Sequence, residues 1–116
     1  MRPWARANGP LLASYIAGYV ESLRWVMEPA HHAECVAMLL AVPVLKLTAD
    51  EAERTYRLLV EPNFGYTPDA KLDLEGFRNT LALRAEIESK PGSKPPPPEK
   101  YLDLSYYQQA LAILGR

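Results

Sequence analysis

The chain has 116 residues, which is enough for one domain or for part of a larger one. Apolar residues make up 48% of the sequence, which excludes wholesale disorder and allows a hydrophobic core. The 13 basic and 14 acidic side chains leave a formal net charge of -1. Composition therefore gives no reason to expect a nucleic acid or an anionic membrane as a partner.

A long helix is predicted near the N-terminus. Asn8 can cap it, and Pro10 suits its first turn. It should end before Pro29, because proline disfavours helix at the residue ahead of it. Its apolar residues recur with the three-four spacing of one buried stripe, which predicts a core role for the aromatic members rather than a ligand-binding wall. The stripe consists of Leu12, Tyr15, Ile16, Tyr19, Val20, Leu23 and Val26, with Trp25 beside it.

The sequence favours neither an N-terminal secretory signal nor a membrane-spanning segment. Arginines precede an apolar stretch, as in a secretory signal, but the stretch contains two tyrosines, continues in phase to Trp25 and has no convincing cleavage site. An internal helix is the better interpretation. The longest apolar run, 35–45, is interrupted by Pro43 and is too short for a bilayer, so membrane insertion is not expected.

Four further helices are predicted. The second begins at Pro29 and ends at Pro43, and the third begins with the capping-box pattern of Thr48 and Glu51. The fourth follows Asp73, after a loop over 63–73. A fifth, short helix follows a cap at Asp103. The predicted inward residues are Ala33, Val36, Ala37 and Leu40; Ala52, Tyr56, Leu59 and Val60; Leu74, Phe77, Leu81, Ala85 and Ile87; and Tyr107, Ala110, Leu111 and Leu114.

The fold class expected from these patterns is all-α with about five helices. Residues 1–92 form a region of four helices, 93–100 a proline-rich linker and 101–116 a C-terminal helix. The linker favours an extended polyproline conformation. Its PxxP segment could dock on an aromatic groove, although such segments are common by chance in linkers.

The stretch EPAHHAEC, residues 28–35, contains the most reactive group of side chains. His31, Glu34 and Cys35 would share one face of a helix and could supply three ligands to a soft metal. A zinc site usually takes ligands from a second segment, and the sequence has no other cysteine and only one other histidine, His32. The alternative is a plain helix start in which the histidines lie outside and Cys35 packs as a small hydrophobe. We favour the helix start and expect no metal, no cofactor and no catalytic residue.

Three segments in order resemble a known family. They are WARANGPLLASYIAGYVESLRWVMEPAHHAE, LTADEAERTYRLLV and KYLDLSYYQQAL. They look like the C-terminal helical part of periplasmic solute-binding proteins of ABC importers, in the branch that is similar to nitrate-, sulfonate-, taurine- and thiamine-precursor-binding proteins. The matching positions are Trp4-Ala5, Trp25, Pro29-Ala30, Ala52 with Tyr56, Leu72 to Gly76, Tyr101, Asp103, Ser105, Tyr106, Ala110 and Leu111.

The resemblance implies a fragment or truncated form of a type II periplasmic binding protein, without its two α/β lobes. The parent would bind a small solute in the cleft between the lobes and would dock on an ABC permease. It would be periplasmic, whereas this chain has no signal peptide and would otherwise be cytoplasmic. The resemblance assigns Trp4, Trp25, Tyr56 and Tyr106 as packing anchors. It gives no ligand-binding residue, because no cleft motif is present.

Two expectations follow for the isolated chain. Its apolar stripes would lack the sheet that covers them in the parent, so the chain is predicted either to self-associate or to close into a compact helical bundle by rearrangement. A different class of function also remains open, namely a stand-alone helical protein-interaction module, monomeric or dimeric, whose exposed stripe binds a protein partner.

Overall fold

The computed structural model describes residues 1–88 and 94–115, and its regular structure is helical. These ranges contain six α-helices: α1 (Arg2–Ala7), α2 (Gly9–Met27), α3 (His32–Ala41), α4 (Ala49–Val60), α5 (Leu74–Glu88) and α6 (Ser105–Ile113). Short 3-10 helices lie at Pro29–His31, Pro68–Ala70 and Pro98–Lys100, and the same ranges contain no strand. The predicted all-α fold is confirmed.

The N-terminal region contains one helix more than the sequence predicted. Asn8 separates α1 from α2, and its side-chain amide donates to the carbonyl oxygen of Trp4 at 2.9 Å. The side chain therefore closes α1 and does not cap α2. Pro10 lies in the first turn of α2, as predicted, where its missing N–H costs nothing.

The caps of the later helices follow the sequence more closely. The Thr48 hydroxyl accepts from the backbone N–H of Glu51 at 3.4 Å, and the Glu51 carboxylate accepts from the backbone N–H of Thr48 at 2.8 Å. The carboxylate of Asp73 accepts from the N–H of Gly76 at 2.9 Å, at the start of α5. Helix α6 begins at Ser105, one residue later than the predicted cap implies, and the Asp103 carboxylate accepts from the Ser105 backbone N–H at 3.1 Å and from its hydroxyl at 2.6 Å.

The predicted linker is only partly irregular. Residues 94–97 have no regular structure, but Pro98–Lys100 form a 3-10 helix that packs against α5. Arg2 reaches across from the N-terminus and donates to the carbonyl oxygens of Glu99 and Lys100 at 2.6 and 2.7 Å. Residue 93 and Arg116, at the predicted ends of the linker and of the C-terminal helix, lie outside the described residues.

Helix α2 is the axis of the fold. It packs against α6, against the 3-10 helix at Pro68–Ala70, and at its C-terminal end against α3. Close approach to α6 is possible because the contact side of α2 is small: a Cβ at Gly9 would lie 3.3 Å from the ring of Tyr106. Helices α3 and α4 form a second packed pair. The buried apolar residues are Ala13, Ala17, Val20, Leu23, Cys35, Ala52, Tyr56, Leu81, Ala85 and Ala110.

The molecule is far more open than its length requires. Its radius of gyration is 18.3 Å and its extents are 51 × 36 × 26 Å, whereas a compact domain of this length has a radius near about 13 Å. Its accessible surface is 8970 Å², roughly 2,600 Å² more than the ~6,300 Å² of a compact monomer of this mass. The helices therefore leave a large area uncovered.

Candidate functional site: uncovered apolar surface and its anchors

The three candidate metal ligands do not form a site. Helix α3 begins at His32, so His31 belongs to the preceding 3-10 turn and the i, i+4 pairing assumed for His31 and Cys35 does not apply. The His31 ring stacks on Trp25 at 4.2 Å, Glu34 is exposed, and Cys35 is buried near the carbonyl oxygen of Val26. Across residues 1–88 and 94–115, no three His, Cys, Asp or Glu side chains are placed to share a metal ion.

Histidine 32 has a structural role that the sequence did not indicate. Its Nε2 lies 2.8 Å from the Glu53 carboxylate, which also accepts from Arg57 Nε at 2.8 Å. The His32 ring packs on Tyr56 at 4.3 Å. These bonds, first the one to His32 and then the one to Arg57, lower the pKa of Glu53. Both histidines were expected to lie outside, but each is half-buried, and His32 joins α3 to α4.

The carbonyl oxygen of Val26 joins the end of α2 to helices α3 and α4. The Tyr56 hydroxyl donates to it at 3.1 Å, and the Cys35 thiol lies 3.9 Å away. Val26 is in the last turn of α2, where carbonyl groups lack partners within the helix. Burial raises the pKa of both Tyr56 and Cys35. Cys35 is therefore a packed thiol rather than an activated nucleophile.

A second connection joins α2 to α6 through the loop between α4 and α5. Arg24 Nε donates to the Asp69 carboxylate at 2.6 Å, and the Tyr107 hydroxyl donates to the Asp69 carbonyl oxygen at 2.9 Å. Asp69 and Ala70 have φ values of 56° and 53°, which non-glycine residues rarely adopt. Burial raises the pKa of Tyr107. This cluster fixes the loop against α2 and gives no catalytic geometry.

The four expected aromatic anchors occupy different environments. Tyr56 is 3% exposed, Trp25 is half-buried against His31, and Tyr106 is half-buried beside Gly9. Trp4 is 56% exposed, so the expectation that it anchors packing is wrong for this chain. It lies in α1, which packs against α2 and is tied to Glu99 and Lys100 through Arg2.

The side of α2 opposite its buried residues is exposed and has no charge. We call it the outer face of α2; it consists of Leu11, Ser14, Tyr15, Gly18, Tyr19 and Ser22. The sequence predicted Tyr15 and Tyr19 to be core residues, but they are 74% and 53% exposed. That prediction is wrong because the smaller Ala13 and Ala17 take the contact side.

Helix α3 also leaves apolar area uncovered. Of its four predicted inward residues, Ala33, Ala37 and Leu40 are exposed and Val36 is half-buried, because Cys35 turns inward instead. A groove of about 220 Å³ lies between α2, α3 and α4, and a smaller groove of about 140 Å³ joins it to Tyr19 on the outer face of α2. The larger groove is lined by Val26, Cys35, Met38, Leu39, Val42, Tyr56, Leu59 and Tyr66, none of them charged.

Depletion of charge together with enrichment in tyrosine and methionine is typical of the centre of a protein interface. Large apolar side chains are exposed on both helices, such as Tyr15 of α2 at 74% and Met38 of α3 at 57%, and contiguous patches of such side chains mark interaction sites. The arrangement is suited to burying apolar area against another polypeptide.

None of the helices among the described residues is both long enough and apolar enough to cross a bilayer. No known family model matches the sequence, and no match is found among curated proteins or solved structures.

Proposed function

We propose that this chain is the C-terminal helical part of a periplasmic solute-binding protein of an ABC importer. The parent would take up a small solute of the nitrate, sulfonate, taurine or pyrimidine-precursor type. The order of the three resembling segments supports the proposal. The observation that carries it is the roughly 2,600 Å² of surface beyond that of a compact monomer. Such helices are suited to cover the rest of a larger protein.

Within this proposal the chain has a structural task and does not catalyse a reaction. Its aromatic and capping residues hold the helices, while solute recognition and permease docking belong to the complete periplasmic parent. The polar clusters support this assignment: Glu53 and Asp69 are each engaged by neighbouring side chains that join helices.

The decisive experiment is the mass of the native gene product in its source cells, measured by immunoblot and by intact mass spectrometry. A product far larger than 13.0 kDa, found in the periplasmic fraction, would support the proposal. Calorimetric screening of that product against nitrate, taurine, alkanesulfonates and pyrimidine precursors would then identify the solute. A native product of 13.0 kDa would refute the proposal.

A second candidate is a stand-alone helical interaction module, and the same uncovered surface favours it. The grooves beside α2 would then bind another polypeptide directly. A native product of 13.0 kDa that is isolated in stable association with itself or another protein would support this candidate.

A further inference from the structure

We propose that residues 67–73, between α4 and α5, form a strained strap with two states, and that the ion pair of Arg24 and Asp69 holds it in the closed one. We call this segment the Asp69 strap. In the closed state it lies on α2 and forms one wall of a groove of about 450 Å³ between α2 and α6. In the open state the strap leaves α2 and the groove loses this wall, while the helices stay folded. The inference does not depend on the parentage of the chain.

The closed strap has an unfavourable backbone. Asp69 and Ala70 are adjacent and have φ values of 56° and 53°, in the left-handed region that residues other than glycine rarely adopt. Aspartate tolerates this region better than most residues because its side chain can bond locally, but alanine has no such compensation. Residues in sparsely populated conformations persist only where their surroundings enforce them, and they cluster in switch regions. The strap should therefore relax once its contacts are released.

The closed state also leaves a buried donor without an acceptor. Arg24 Nε donates to the Asp69 carboxylate at 2.6 Å, but Arg24 Nη2 is buried and has no hydrogen-bond partner among the described residues. A buried donor that is not bonded has lost its hydration without compensation. Because Arg24 reaches to the strap, opening would let water reach its guanidinium group. This cost, like the backbone strain, belongs to the closed state alone.

The contacts that oppose these costs are mainly polar. They are the ion pair, the bond from the Tyr107 hydroxyl to the Asp69 carbonyl oxygen at 2.9 Å, and the packing of Pro68–Ala70 on α2. None of residues 67–73 is fully buried, so apolar burial contributes little. The side chains of Arg24 and Asp69 are 24% and 34% exposed, so water can compete for their bond while the helices remain intact. The closed state thus depends on two polar bonds.

The helices on either side of the strap are held by other partners. Helix α4 packs against α3, and α5 packs against the 3-10 helix at Pro98–Lys100. Residues 66–67 and 71–73, which flank the 3-10 turn of the strap, have no regular structure. Short irregular segments of this kind can absorb the backbone rotation of a hinge. The strap can therefore open as a local unit, at a lower free energy than global unfolding.

Amide hydrogen exchange of the whole chain, followed by NMR, measures this opening. The N–H groups of Ala70 and Lys71 donate to carbonyl oxygens of the strap at 3.0 and 3.2 Å, so their protection reports its closed state. The buried Val20 of α2 and Ala110 of α6 report unfolding of the two helices that border the groove. In the wild-type chain we expect Ala70 and Lys71 to be protected, but less than Val20 and Ala110.

Three variants and one control separate a strained strap from an ordinary loop. Arg24→Gln removes the ion pair and should lower the protection of Lys71 about tenfold or more, and Tyr107→Phe should lower it about fivefold. Ala70→Gly should raise it about twofold or more, because glycine adopts a positive φ without strain. Arg57→Gln is the matched control, since it breaks an exposed ion pair within α4, and it should leave Lys71 unchanged.

The inference fails on any of three results. Wild-type Ala70 and Lys71 amides without protection would mean that the strap has no closed state. Unchanged protection of Lys71 in Arg24→Gln, or an equal loss at Val20 and Ala110, would mean that the ion pair does not control a local opening. Lower protection in Ala70→Gly would show that the backbone is not strained. If Arg24→Gln does not fold, Tyr107→Phe decides by the same criteria.

Discussion

The turn that follows α4 depends on Gly65. An ideal Cβ built on this residue would lie 2.4 Å from the carbonyl oxygen of Leu59 and 2.7 Å from those of Glu61 and Leu58. All three atoms belong to the backbone, so no side-chain rotation can relieve the overlap. We therefore predict that Gly65→Ala destabilises the fold although it adds a single methyl group.

The expected loss of stability follows from the two backbone hydrogen bonds that the overlap would disturb. Gly65 N–H donates to the Glu61 carbonyl oxygen at 2.8 Å, and Tyr66 N–H donates to that of Leu59 at 2.7 Å. Relieving the overlap would lengthen or break these two bonds, each worth about 1 kcal/mol net. Movement of Tyr66 would also open the groove between α2, α3 and α4. We expect a loss of about 2–3 kcal/mol in the free energy of unfolding.

Urea denaturation followed by circular dichroism measures this loss at one fixed protein concentration. Phe64→Ala is the matched control, because it puts the same residue into the same turn. Phe64 is 88% exposed, and its loss should change the free energy by less than about 0.5 kcal/mol. If Gly65→Ala were as stable as Phe64→Ala, the steric argument for this turn would be refuted.

Three further predictions concern the junctions between helices. Tyr56→Phe should cost about 1 kcal/mol in urea denaturation, because the Val26 carbonyl oxygen loses its donor; an unchanged midpoint would mean that this bond contributes nothing. The Cys35 thiol should react with a disulfide reagent much more slowly in the native chain than in urea, because it is buried and its pKa is raised; equal rates would contradict its packing. Hydrogen bonds lower the pKa values of Glu51 and Glu53 below the ordinary 4.5, so the stability that these carboxylates contribute is present above pH 4.5 and is lost as the pH falls below it. Glu51→Gln should therefore make the melting temperature fall less steeply as the pH is lowered. An equally steep fall in the variant would contradict this account.

The sequence predicted α4 and its surroundings well, for a physical reason. Its apolar stripe is narrow, charged residues occupy the other sides, and Ala52 and Tyr56 are buried as expected. Thr48 and Glu51 form their capping box from local residues alone. Where pattern and capping are both local, sequence reasoning suffices.

The histidine-containing turn shows where local reasoning fails. The i, i+4 rule applies within one α-helix, but Pro29–His31 form a 3-10 turn before α3 begins. His31 therefore contacts Trp25 of the preceding helix, and His32 contacts Glu53 of the following one. These partners are set by how α2, α3 and α4 pack, which no short-range spacing encodes.

Helix α2 shows why burial could not be assigned from periodicity. A stripe of large apolar residues indicates a core only if the neighbouring positions are polar. In α2 the neighbouring Ala13 and Ala17 are just as apolar, and they are buried together with Val20 and Leu23, the two members of the predicted stripe nearest to them. Tyr15 and Tyr19 were consequently turned outward. The predicted burial of Tyr15 and Tyr19 and their exposure in the single chain are reconciled if a second polypeptide covers the outer face of α2.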